Sequence, residues 1–389
     1  MCASTRRWPR ACAPTRATAL LRQQRPEAGE PRRTTMDKAE LLRCAQRAEP
    51  VIGQDLSGLV LDDADLSGTL FDGCRFDRTT MHRADLTQSQ FRQCSFSKVQ
   101  AQDCLLADAA FVESGFERVV MTGATVRNTT FAQCRIDGLA LSAAQLDFAV
   151  FTGCALNMLL LKEARLVKAI FTDCQVGEVD FSGAHLERTV LLECDLRKAR
   201  FGGAAFDTVV FIKANLAGKS FAGQQLLNAQ FMNADLTGCD FSQARIAQAN
   251  FQGAQLAGAN FDGAHASNAI FMEADISAAR FHKAVLTQAL FVGAKAQGAQ
   301  FVAADLYQTN WAGALLEGAR MTDCELTYAD FSHADLSRAD LRGATMFRAN
   351  LHAVTDADAQ FSDRARALES EPELVAAEGW RAQPVASST

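Results

Sequence analysis

Apolar residues recur at every fifth position from Leu56 to Leu351, and the register never slips. The series opens Leu56, Leu61, Leu66, Phe71, Phe76, Met81 and closes Phe331, Leu336, Leu341, Met346, Leu351, sixty units without an insertion or deletion. Two residues before each apolar centre stands a small residue, mostly Ala, Cys, Thr or Ser. Five is neither the helical period, with apolar residues at i, i+3, i+4 and i+7, nor the alternation of a half-buried strand. It suits short extended segments separated by regular corners. Each segment turns two side chains inward, the centre i and the small residue at i−2, while i−1, i+1 and i+2 face out. Glycine marks the corner: 20 of the 25 glycines occupy i+2, where a tight turn asks for positive φ. Self-similarity at one fixed period predicts a repeat architecture whose units contact only their neighbours.

Runs such as Ala234-Asp235-Leu236-Thr237-Gly238, Ala334-Asp335-Leu336-Ser337-Arg338 and Ala339-Asp340-Leu341-Arg342-Gly343 carry a family resemblance. They look like the A(D/N)LXX consensus of the pentapeptide repeat family, over about three quarters of the chain. The resemblance implies an all-β solenoid, a right-handed quadrilateral parallel β-helix with four units in each coil. Sixty units then give about 15 coils with short helical caps, a rod roughly 70 Å long at the ~4.8 Å spacing of neighbouring strands.

A period of 20 sorts the inward residues onto four faces. One face reads Phe71, Phe91, Phe111, Phe131, Phe151, Phe171, Leu191, Phe211 and onward to Trp311 and Phe331, a stacked aromatic ladder. The opposite face begins Leu61, Met81, Ala101, Met121, Leu141, Leu161 and then turns to Phe181, Phe201, Phe221, Phe241, Phe261. Its i−2 residues change in step, from Val99, Val119, Leu139 and Leu159 to Ala or Cys. Large with small, then small with large, keeps the interior volume nearly constant, as a close-packed core demands. Lys219 and Gln224 break the small-residue rule. A Lys directed at a dry core is costly, so the corner between Leu216 and Leu226 is expected to be distorted, or a buried partner to exist.

Taken in order, residues 1–35 hold eight Arg against two Glu and no apolar stretch of a secretory signal. They read as a disordered basic arm or a non-native extension ahead of a natural start at Met36. Residues 36–50 form an N-terminal capping helix, with Asp37 and Glu40 as a capping-box-like start and Leu41, Leu42 and Ala45 as its apolar face. Residues 51–361 are the repeat body. Residues 362–389 are a C-terminal cap and loose tail, partly helical and broken by Pro372. An open solenoid end exposes unpaired edge groups, which is what both caps cover.

The chain carries a net charge of −6, and from residue 36 onward 31 basic residues face 43 acidic ones. A nucleic-acid binder would want a basic face, so nucleic acid is not an expected partner. The longest largely apolar run, Ala155 to Leu161, is seven residues long, includes Asn157 and is far short of a membrane span. Nine of twelve cysteines occupy i−2, six of them (Cys74, Cys94, Cys134, Cys154, Cys174, Cys194) on one vertical line with Ser114 in the gap. They read as small buried fillers and fit a reducing, bacterial cytoplasm. A thiol ladder for a soft metal is the disfavoured reading, because stacked thiolates would be dry, like-charged and unpaired.

No catalytic constellation, cofactor fingerprint or metal motif is present, and no enzyme is expected. His82, His185, His265, His282, His333 and His352 are scattered over different outward positions. Asp195, Asn215, Asp235 and Asp275 form a polar ladder, read as solvation of a strand rather than an acidic strip for a basic partner. The most informative surface signal is apolar. Beside the aromatic ladder the outward positions hold Val150, Ile170, Val190 and Val210, extended by Leu192, Ile212 and Met232 and then by Ile270, Met272, Leu290 and Val292. The equivalent positions of another face read Arg165, His185, Ala205, Gln225, Arg245, His265. Such a strip is either a partner-binding surface or a choice of β-branched residues for strand propensity.

Flat repeat faces suit protein contacts more than enclosure of a small substrate. The expectation is a protein-interaction scaffold with an unidentified protein partner, a homodimer being one option. The opening Met36-Asp37-Lys38-Ala39-Glu40-Leu41 and the close Phe347-Arg348-Ala349-Asn350-Leu351-His352 look similar to long pentapeptide repeat proteins encoded with bacterial type VI secretion systems, which implies an accessory role in effector delivery. The alternative is a DNA-mimicking topoisomerase inhibitor, as in the quinolone-resistance members of the family. The acidic body permits that reading, and the uninterrupted register leaves no room for the projecting loops many of them carry.

Overall fold

The computed structural model describes residues 34–378. The basic segment expected over 1–35 lies outside them apart from Thr34 and Thr35, as does the end of the tail expected over 362–389. The chain winds into a parallel β-solenoid of about 16 turns. Residues pair with those 20 positions on, inward ones as in Phe71↔Phe91 and outward ones as in Ile170↔Val190 and Asp330↔Asn350. Four faces result. Face 1 carries Phe71 and its successors, face 2 Phe76, face 3 Met81 and face 4 Leu86. Face 1 holds an eight-stranded parallel sheet from Val51–Ile52 to Val190–Leu192.

Corners are stricter than glycine placement suggests. From Gly53 to Asp358 every i+2 residue has positive φ except Glu178 and Lys198. Most are not glycine but Asp, Asn, Gln, Glu, Lys or Arg, and Thr208 is the one β-branched residue among them. The left-handed conformation costs about 1–2 kcal/mol for an L-residue. Where the coils are joined it is held by a bond from the corner amide to the next coil, as from Asp63 N–H to the His82 carbonyl at 2.9 Å and from Arg83 N–H to that of Gln102 at 3.0 Å.

Centres and i−2 residues fill the interior as the 20-residue sorting predicts. Successive face 1 rings stack at 4.9 Å for Phe71–Phe91, 4.6 Å for Phe131–Phe151 and 4.8 Å for Phe271–Phe291, each within a few degrees of parallel. Rings of faces 1 and 3 meet edge to face, Phe251 and Phe261 at 5.9 Å and 89°, the arrangement that ring quadrupoles favour. Val99, Val119, Leu139 and Leu159 are all buried against the smaller face 3 centres.

The cysteine line has a backbone explanation. Along face 3 and face 4 a corner is commonly closed by a turn hydrogen bond from the i−2 amide to the preceding centre, as Ala64 N–H to the Leu61 carbonyl. At the corners from Phe71 to Leu191 on face 1 that bond is not made, and the side chain of the next coil serves the freed carbonyl. Cys94 Sγ lies 3.6 Å from the Phe71 carbonyl, Ser114 Oγ 3.3 Å from that of Phe91 and Cys154 Sγ 3.2 Å from that of Phe131. When the column changes to Ala214 the turn bond appears, Ala214 N–H to the Phe211 carbonyl at 3.2 Å. Burial pushes the Cys194 thiol up to about 12, so it stays a neutral donor.

The consensus Asp/Asn is local too. Asp195, Asn215, Asp235 and Asp275 each accept the backbone N–H two residues on, at 3.1–3.2 Å. That is the Asx-turn geometry, and it supports solvation and corner geometry as their role.

Both ends are covered. Helix α1 (Lys38–Gln46) starts where the capping residue predicts, with Asp37 Oδ1 accepting the Glu40 N–H at 2.8 Å. Leu41 is fully buried on the first coil. The ladder itself reaches back to Thr35, which pairs with Asp55. At the other end Phe361 pairs with Leu341 and Leu368 with Asn350, and helix α2 (Pro372–Glu378) follows. Pro372 opens this helix rather than breaking it, as suits a first-turn position that has no N–H to satisfy. No helix of the described residues is long and apolar enough to cross a membrane.

Cys154→Ser keeps a donor for the Phe131 carbonyl and is expected to leave stability within ~0.5 kcal/mol. Cys154→Val, close in volume but without a donor, should lose about 1 kcal/mol in urea unfolding. Equal stabilities for the two variants would refute the carbonyl-donor role.

Candidate partner-binding surfaces

Face 1 gathers the apolar positions into vertical columns. Val150, Ile170 and Val190 sit in consecutive register pairs, and Val190 bridges Val210. On the other side of the centres Leu192, Ile212 and Met232 follow one another through the Glu193–Ile212 and Lys213–Met232 backbone bonds. All are half-buried except Ile170, which is 37% exposed. The strip is not continuous. Gln230, Asn250 and Gln252 separate this group from a second patch of Ile270, Met272, Leu290 and Val292, all half-buried.

Between faces 2 and 3 lies a surface that the five-residue pattern does not display. At Gly115–Val120, Arg135–Ala140 and Ala155–Leu160 one six-residue strand runs through the corner. The bulky Val119, Leu139 and Leu159 stand at i−2 there, and the corner is drawn out into the parallel ladder. The apolar run Ala155 to Leu161, informative about membranes only by its shortness, is the signal for this feature. Its outward members Met158 and Leu160 are 45% and 38% exposed. With Val120 and Ala140 they floor a shallow depression of about 390 Å³ rimmed by Arg118, Glu178, Lys198 and Arg200. A second depression of about 580 Å³ lies on face 2 around Asn157, Gln175, Gly177 and Asp195.

Both depressions border the one irregular stretch of the solenoid. Glu178 and Lys198 lack the left-handed corner. Gln175 and Val176 make no ladder bonds to Asp195 and Leu196, and Val176 is only half-buried. One coil later faces 3 and 4 open. The bonds expected between residues 199–208 and 219–228 are not made, while on face 1 Gln230 N–H still reaches the Val209 carbonyl and on face 2 Asn215 N–H that of Cys194. Phe201 and Phe221 separate to 6.3 Å and tilt by 36°. Phe201 and Phe206 are each 9% exposed, the most of any core ring.

Lys219 lies in this seam. Its own corners are regular, with Gly218 at φ 71° and Gly223 at φ 66°, so the expected distortion of the 216–226 corner is not found there. Its Nζ instead donates to the Ala199 carbonyl at 2.6 Å, the acceptor that the Ser220 amide would otherwise take. Burial lowers the pKa of this ammonium. The histidines also need a correction. His333 and His352 are not scattered but stand on neighbouring coils with ring centres 5.4 Å apart.

Family models match the repeat body along most of its length. A pentapeptide repeat region model covers residues 124–201, an eight-copy pentapeptide repeat model covers 60–97 and, in four overlapping matches, 249–354, and a nine-copy model covers 221–265. The chain belongs to the pentapeptide repeat family. No curated protein matches its sequence. Among solved structures, this pentapeptide repeat protein is similar to QnrB1, a plasmid-mediated fluoroquinolone resistance protein, at 16% identity over 50% of this chain and 99% of that one, TM-score 0.37. It is similar to HetL, a pentapeptide repeat protein involved in heterocyst differentiation regulation from Nostoc, at 21% identity over 81% and 96%, TM-score 0.16. A thylakoid-lumen pentapeptide repeat protein of Arabidopsis thaliana shares 27% identity over 29% and 68%, TM-score 0.21.

Lys219→Ala restores the small i−2 residue and frees the Ala199 carbonyl. It is expected to close part of the seam, slow hydrogen exchange at the Ser220 amide and raise stability by about 1 kcal/mol. Unchanged exchange at Ser220 would mean that the seam is set elsewhere.

Proposed function

We propose that this pentapeptide repeat protein is a non-catalytic scaffold that binds a protein partner along face 1. The observation that carries the reading is the in-register column Val150, Ile170, Val190 and Val210, flanked by Leu192, Ile212 and Met232. On face 4 the corresponding positions are Arg165, His185 and Ala205 in one ladder and, beyond the seam, Gln225, Arg245 and His265 in the next. Strand propensity explains the β-branched Val and Ile of this face but not the flanking Leu192 and Met232. A flat apolar column with polar edges has the composition of an interface centre. An accessory role in type VI effector delivery is the finer form of this reading. It rests on the resemblance of the Met36–Leu41 opening and the Phe347–His352 close.

A second reading, the DNA-mimicking topoisomerase inhibitor, is favoured by the acidic body alone. Its acidic column is engaged in corner geometry through Asp195, Asp235 and Asp275 and is interrupted by Lys295. A gyrase supercoiling assay separates the readings, since a scaffold is expected to leave supercoiling unchanged at any concentration.

The direct test is affinity purification of the full chain beside a Val190→Asp, Val210→Asp variant. Both positions face outward, so the fold should persist, as circular dichroism can check. Loss of a specific partner from the variant, by at least roughly tenfold as expected for removing interface-centre contacts, is the predicted result. Retention of the same partner by a folded variant would overturn the assignment of this face.

A further inference from the structure

The C-terminal end of the solenoid brings together three metal-ligand side chains from three places in the sequence. His333 occupies a corner, His352 an outward position on the next coil, and Glu378 the end of α2. His333 N–H donates to the His352 carbonyl at 2.9 Å, so the ladder fixes the two backbones relative to each other. The two rings stand at 82°, and both turn Nε2 toward the same carboxylate. His352 Nε2 lies 3.1 Å from one Glu378 oxygen and His333 Nε2 lies 3.4 Å from the other. Donor atoms of the three residues all fall within 4.8 Å of one another. His352 is 5% exposed and its Nδ1 has no hydrogen-bond partner, leaving Nε2 as the ring's polar contact.

We propose that His333, His352 and Glu378 form a binding site for a divalent transition metal, zinc foremost, which fastens α2 to the last coils. In a tetrahedral zinc site with metal–ligand distances near 2.0–2.1 Å, neighbouring donor atoms stand about 3.3 Å apart. The His352–Glu378 and His333–Glu378 separations are of that order but run to different carboxylate oxygens, so turning the Glu378 carboxylate and drawing the two rings together, within the 4.8 Å spread of the donors, completes the set. Two imidazole nitrogens and one carboxylate oxygen suit zinc, nickel or copper, whereas magnesium and calcium prefer oxygen throughout. Three protein donors leave a fourth position for water or for a donor from another molecule. The bare ion pair is a weaker explanation of the same geometry, because a single carboxylate is met by two imidazoles on one side while the more buried ring makes no other polar contact.

The buried cysteines are a competing source of zinc affinity, and the test must separate them. The full chain, stripped with a chelator, is titrated with zinc chloride by calorimetry and with cobalt(II) by absorption spectroscopy. The expected result is one ion per chain, a cobalt spectrum without thiolate charge-transfer bands, and zinc-dependent protection of the 372–378 segment from protease. His333→Ala and Glu378→Gln should each weaken binding by at least roughly 10-fold. Both side chains are about half exposed, so the solenoid is expected to stay folded in either variant, with unchanged far-ultraviolet dichroism. Absence of stoichiometric binding, thiolate bands with cobalt, or equal affinity in folded His333→Ala and Glu378→Gln proteins would each overturn the site.

Discussion

The backbone ladder that links residues 20 positions apart is the constraint from which the rest of the structure follows. A parallel ladder tolerates no slip, because a shift by one residue moves every inward side chain out. The coil therefore has a fixed perimeter, and the interior can change only by exchange between neighbouring inward positions. Val119 against Met121 gives way to Ala199 against Phe201 within that limit. The corner must also repeat from coil to coil wherever the ladder is complete, which is why long polar residues accept a left-handed backbone at positions where glycine would be easier.

Where the ladder is complete the side chains have little freedom to alter it, and where it fails the failure is local. The seam between 199–208 and 219–228 combines a large group at i−2, a β-branched corner at Thr208 and a corner at Lys198 without positive φ. Each is tolerable alone. Together they leave backbone amides of two faces without their usual acceptors, while faces 1 and 2 remain joined. The denser part of the apolar column, Val190 to Met232, lies over the joined side of this seam, so the proposed binding face and the irregular coil occupy the same height of the rod.

The fold was almost wholly legible because the period of five with small residues at i−2 announces extended segments and regular corners, the family resemblance implies four of them to a coil, and the 20-residue sorting could be checked through volume exchange. The cysteine column was read correctly as packing. Its second role, donation to carbonyls such as that of Phe131, depends on a turn bond whose absence no side chain announces. The six-residue strands at 115–160 were hidden for a related reason: Val119 and Leu139 look like core residues, and their effect on the corner appears only in the backbone. The meeting of His333 and His352 with Glu378 was missed because it needs the path of residues 362–378, which carry no repeat.

The seam also has a mechanical meaning. Stacked coils joined on all four sides resist bending, but a coil pair joined on two sides opens like a book along the joined edge. About seven regular turns separate residue 219 from the C-terminal cap, an arm on the order of 30 Å at the ~4.8 Å strand spacing. A small change in gape at Lys219 is thus magnified into a larger swing of α2 relative to α1. Whatever grips both ends of the rod has their mutual angle set at one coil in its middle.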